Sequence, residues 1–163
     1  MTSVYRNQQP AARAISPPLE EAIDRGLGER ASAEAVQEVS RVRRTVQERL
    51  SVWGLTDDFA YEVTLLVAEV LTNAVVHGRG QVVVQVDYCA NALSISISDQ
   101  SPQPPEPGRA GPEDQNGRGW DMAKALATGR GGYLRVVTHR EGKEITALLP
   151  VPLPSLRASA RCA

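Results

Sequence analysis

Glu69, Asn73 and His77 recur at intervals of four in a stretch that is apolar almost throughout from Phe59 to Val76. Each step of four residues on an α-helix advances only about 40°, so the three side chains line one face. Apolar positions surround the wheel on all other sides, the pattern of a buried helix. Burying a neutral polar group without a partner costs roughly 2–7 kcal/mol, and a charge more, so this strip calls for something polar opposite it. Two further pieces carry chemistry of a related kind. Asp99 stands at the end of an alternating run, where its carboxylate can accept a hydrogen bond from an exocyclic amine such as that of adenine. Gly117-Arg118-Gly119 precedes a helical pattern, and a helix start flanked by glycines exposes unpaired backbone N–H groups to an anion such as phosphate. Mg²⁺ is usually held by a few side-chain oxygens together with substrate phosphates, a role suited to Asn73 with Glu69 nearby. Together these residues point to a nucleotide.

The elements that must position them can be read from hydrophobic period and turn residues. Ser32 can cap a helix in which Val36, Val39, Val42, Val46, Leu50 and Trp53 share one side. Trp53-Gly54 closes it, and Thr56-Asp57-Asp58 starts the buried helix that runs to Gly80. Gln81 to Tyr88 is β-branched and alternating, and Leu93, Ile95 and Ile97 alternate with Ser94, Ser96 and Ser98, so two strands form a hairpin at Asn91-Ala92. Residues 100–116 hold five prolines and two glycines without a hydrophobic period, which predicts a long loop, either a binding lid or a disordered insertion. Trp120 to Ala127 reads as a short helix, and Tyr133 to Thr138 with Glu144 to Leu149 as a second hairpin turning at Glu141-Gly142.

Before this block, Met1 to about Leu19 carries Pro10, Pro17 and Pro18 and no period, and Glu20 to Arg30 could form a short helix weakened by Gly26 and Gly28. Residues 1–30 are therefore expected to be a mobile arm, 31–150 one domain, and 151–163 a flexible tail. The fold class expected is α+β: a two-layer sandwich with helices on one face of a mixed, mostly antiparallel sheet.

Composition limits the partners. The chain has 163 residues, long enough for one core without disulfides, and a net charge of -1 with scattered arginines, which argues against nucleic acid. Two cysteines and no Cys or His pair at metal-ligand spacing fit a reducing compartment, and no apolar stretch of bilayer length lacks an internal Glu or Asn. A cytoplasmic protein is expected.

The order Glu69-x-x-x-Asn73-Ala-x-x-His77-Gly, a strand ending in Asp99-Gln-Ser-Pro, a Pro-rich lid and Gly117-Arg118-Gly119 resembles the N, G1 and G2 boxes of the GHKL ATPase superfamily. Within it, the resemblance is to the anti-sigma-factor serine kinases and their actinobacterial histidine-kinase-like relatives, over roughly Ser32 to Pro150. It implies a Bergerat-type fold with an ATP site in which Asn73 binds Mg²⁺, Glu69 activates the nucleophile as the catalytic base, and Asp99 contacts the adenine amine. His77, Gly117, Arg118 and Gly119 would contribute to nucleotide binding, and Thr146 on the last strand would correspond to a late threonine near adenine. The implied partners are a sigma factor, an anti-sigma-factor antagonist phosphorylated on serine, and a second copy of the chain. Two positions depart from the pattern: Ser101-Pro102 stands where a glycine usually follows the aspartate, and Trp120 stands where an aliphatic residue follows the second lid glycine. Two functional classes stay open, an ATP-dependent serine/threonine kinase and a partner-binding switch that sequesters a regulator with nucleotide binding weakened or lost.

Overall fold

A computed structural model describes residues 17–24, 32–55, 57–89, 91–104 and 118–151. Most of the expected arm, the lid from residue 105 through Gly117, the capping Thr56 and the tail from residue 152 lie outside the described residues. The elements are β1 (Leu19–Asp24), α1 (Ala33–Val52), α2 (Asp57–His77), β2 (Gln81–Cys89), β3 (Ala92–Asp99), α3 (Arg118–Gly129), β4 (Tyr133–His139) and β5 (Gly142–Pro150). The strands form one sheet in the order β1-β2-β3-β5-β4, with every neighbouring pair antiparallel. The three helices lie against one face, so the expected α+β sandwich forms.

Capping starts and stops α1 as its residues dictate. Ser32 Oγ accepts a hydrogen bond from the Ala35 N–H at 3.0 Å. At the other end Gly54 takes φ +72, its N–H bonds to Ser51 O, and the Leu55 N–H bonds back to Leu50 O, both at 2.9 Å. This paired closure satisfies the last carbonyls, and both Leu50 and Leu55 are buried in it. The buried stripe is Ala35, Val42, Val46 and Leu50 with Val39 beside it. Val36, expected on that stripe, is half exposed, because it lies about 100° around the helix from Ala35.

Among the described residues, α2 is the one helix long and apolar enough to cross a bilayer. In this fold its apolar surface is the core: Phe59, Val63, Leu66, Val67, Val70, Leu71, Ala74 and Val75 are all buried. They meet the inward sides of β2, β3 and β5, which present Val82, Val84, Val86, Leu93, Ile95, Ile97, Ile145, Ala147 and Leu149. An ion pair from Arg130, which follows α3, to Glu62 on α2 holds the two helices together, and the guanidinium also lies 5.0 Å from the Phe59 ring centroid.

One element differs in kind from its expectation. The segment read as arm and short helix contains β1, paired with β2 from Leu19↔Val86 to Asp24↔Gln81. Leu19 and Ile23 are buried, and Glu21, in phase with them, is held by Arg41 of α1 at 3.0 Å. The apolar residues of this strand stand four apart with a carboxylate between, a spacing that reads as helical until Arg41 is placed beside Glu21.

Tyr88 and Trp53 pack at the far corner of the sheet, ring centroids 5.9 Å apart, and neither the Tyr88 hydroxyl nor Trp53 Nε1 has a hydrogen-bond partner among the described residues. Burial pushes the Tyr88 phenol above its ordinary value of 10.0. The unfolded phenol therefore ionises first, so this group's contribution to stability is intact below about pH 10 and is lost as pH rises toward the folded value. Thermal melts of Tyr88→Phe between pH 8 and 11 are expected to lack that part of the alkaline decline. At neutral pH the variant should equal or exceed the parent by up to about 1 kcal/mol, since an unsatisfied hydroxyl is removed.

Candidate functional site

Glu69 and Asn73 are half-buried on α2 and His77 is exposed in its last turn. The polar strip thus lies along the rim of the core helix, where solvent or a ligand can reach it, and the burial penalty anticipated from sequence is relieved by position. The Asn73 amide has no side-chain partner among the described residues.

The two ends of the strip are closed by glycines. At Gly119, in the first turn of α3, an added Cβ would collide with Glu69 Oε2 and come within 2.9 Å of its Cδ. The Glu69 carboxylate is therefore in contact with the backbone of α3 at its N-terminal end, where the helix dipole favours negative charge. At Gly78, just past α2, a Cβ would run into Ala74 O and lie 2.8 Å from Asp99 Cγ and 3.0 Å from Oδ2. The absence of a side chain there lets the end of α2 close on the end of β3. Glu69 and Gly78 are about 13 Å apart along α2 at 1.5 Å per residue, with Asn73 between them.

Asp99 is deeply buried and fully engaged on one oxygen. The Ser101 N–H donates to Oδ1 at 2.7 Å, and Lys143 Nζ lies 3.0 Å from Oδ1 and 2.8 Å from Oδ2. Ser101, at the position that departs from the G1 pattern, is itself buried and fixes the carboxylate through its backbone. Lys143 was missed in the sequence. Its signal was phase: it stands in period two with Ile145, Ala147 and Leu149, a cation on the core side of β5 directly opposite Asp99.

The same alternation removes Thr146 from this group. Thr146 pairs with Ser96, and its Oγ1 lies 3.4 Å from Ser96 Oγ and donates to Glu144 Oε1 at 3.0 Å, on the sheet face away from the helices. Asp99 and Lys143 occupy the other face, so Thr146 does not join them. Trp120 is half-buried and packed against the hydrophobic core. Arg118 opens α3, with its side chain outside the described residues, as is Gly117.

For a metal, the described residues contain no group of three or more His, Cys, Asp or Glu side chains that could form a cage. Asn73 and Glu69 on successive turns of α2 fit the other pattern, an ion held mainly by phosphates and water with one or two side-chain oxygens.

No curated protein matches the chain. Among solved structures, the RsbU and RsbW domains of Rv1364c from Mycobacterium tuberculosis match with a TM-score of 0.57 and 19% identity, over 83% of this chain and 32% of that one. This chain thus spans about a third of the length of that structure. The histidine kinase AdeS of Acinetobacter baumannii matches with a TM-score of 0.47 and 15% identity, over 82% of this chain and 68% of that one. The histidine kinase domain of the E. coli osmosensor EnvZ matches with a TM-score of 0.42 and 24% identity, over 58% and 67%. A family model described as a histidine kinase-like ATPase domain matches residues 31–146, running from the start of α1 into β5 and enclosing the whole strip, both glycine contacts and Asp99. With that span and this sheet order, the chain belongs to the histidine kinase-like ATPase domain family of the GHKL superfamily.

Proposed function

We propose that this chain is an ATP-binding regulator of the anti-sigma-factor type that transfers the γ-phosphoryl group of ATP to a serine or threonine hydroxyl of an antagonist protein. The observation that carries the reading is the pair of glycine contacts that sets Glu69 at the start of α3 and Asp99 at the end of α2. Along that line the adenine amine meets Asp99, the phosphates meet backbone N–H groups at the start of α3, and Asn73 with Glu69 stands between. Asn73 would hold Mg²⁺ together with the phosphates, and the ion would neutralise charge on the transferring group. Glu69 accepts the proton of the attacking hydroxyl as the oxygen–phosphorus bond forms and ADP departs. The protein partners follow from the resemblance to anti-sigma-factor kinases and from the fold likeness to a structure containing an RsbW domain. A sigma factor, its antagonist and a second copy of the chain are the partners of this reading, with the cytoplasm as its setting.

Calorimetric titration with Mg-ATP tests the site. Asn73→Ala is expected to weaken binding at least about tenfold, the loss of one oxygen ligand to a charged centre. Equal heats from parent and variant would remove the magnesium role. Incubation with radiolabelled ATP and a candidate antagonist then separates the two functional classes: transfer supports the kinase, whereas partner binding without transfer supports the sequestering switch.

A further inference from the structure

Among the described residues, one cation touches the proposed base-recognition residue Asp99. Lys143 and Asp99 face each other across β3 and β5 with side chains only 7% and 1% exposed, and Nζ contacts both carboxylate oxygens. Their opposition is built in by Gly142, where a Cβ would strike the Asp99 carbonyl oxygen. A carboxylate offers about four acceptor sites. Oδ1 receives Lys143 and the Ser101 N–H, and Oδ2 receives Lys143, so acceptor capacity remains on Oδ2. Oδ2 is also the oxygen that comes within 3.0 Å of the missing Cβ of Gly78, on the side where α2 ends.

We propose that Lys143 is a positioning residue: it locks the Asp99 carboxylate so that the remaining acceptor site on Oδ2 is presented to the exocyclic amine of the base. This rests on the nucleotide reading of the site and adds to it a residue that sets base preference. A lysine that merely filled the core would influence all nucleotides alike. A lysine that aims an acceptor at an amine matters only for bases that carry one.

The test compares Mg-ATP with Mg-purine riboside triphosphate, which has the same ring without the 6-amino group, by calorimetric titration of the full chain. The parent is expected to prefer ATP by about tenfold or more, the effect of leaving a charged acceptor unmatched. Lys143→Met is expected to reduce that preference to within about twofold, with affinity for the amine-free nucleotide unchanged. Lys143→Gln, which retains one neutral donor, is expected to fall between them. The preference is a ratio, so a partly unfolded sample lowers both affinities equally and leaves it intact. The ATP preference persisting undiminished in Lys143→Gln or Lys143→Met, or ATP binding more tightly to either variant than to the parent, overturns the proposal. Asp99→Asn separates the two levels: loss of preference there, with none in the Lys143 variants, keeps the nucleotide site and removes the role of Lys143. A parent that binds neither nucleotide removes both.

Discussion

Asp99→Ala is expected to lower the unfolding free energy by about 3–5 kcal/mol, read as a lower urea midpoint at unchanged slope. The cause is what remains behind. Lys143 Nζ has Asp99 as its hydrogen-bond partner and is nearly sealed from water, so truncation leaves a buried ammonium without its counter-charge. The Ser101 N–H loses its acceptor in the same step. Replacing both charges by apolar side chains of similar volume removes the stranded group, so Asp99→Leu with Lys143→Met is expected to be more stable than Asp99→Ala alone. If the double variant were the least stable of the set, the pair would not be the source of the cost.

Gly119→Ala is expected to separate stability from chemistry. The colliding atom is the end of the Glu69 side chain, which can swing aside, and alanine favours the helix over glycine by roughly 1 kcal/mol. The melting temperature should therefore change little. Phosphoryl transfer, under the proposed function, should fall about 100-fold in a single-turnover assay, because a base displaced by an ångström loses its reach to the hydroxyl. A rate equal to that of the parent would mean that contact with α3 does not position Glu69.

Much of the architecture was legible because it repeats with a clean period. The serine alternation of β3, the largely apolar α2 and the Gly54 closure each follow from local chemistry, although α2 stops at His77, three residues before the expected Gly80. β1 was not legible. Its core-facing phase includes Glu21, whose acceptability depends on Arg41, twenty residues away on another element. The site divides along the same line. Glu69, Asn73 and His77 declare themselves by spacing on one helix, and Asp99 by ending a strand. Lys143 and the exclusion of Thr146 depend on the register between β3 and β5, which no local period states. The glycine contacts at 78 and 119 depend on how closely separate elements approach, which is likewise a tertiary quantity.

The strand order has a consequence for how the molecule assembles. β2 with β3 and β4 with β5 are hairpins whose partners are close in sequence, so each can zip from its own turn. The seam between β3 and β5 joins Asp99 to Lys143 across forty-four residues and carries the larger loop-closure entropy. The ion pair thus comes into being only when the two hairpins dock. A ligand that requires Asp99 in that pair binds only the docked chain, and its concentration then draws the folding equilibrium toward the native state.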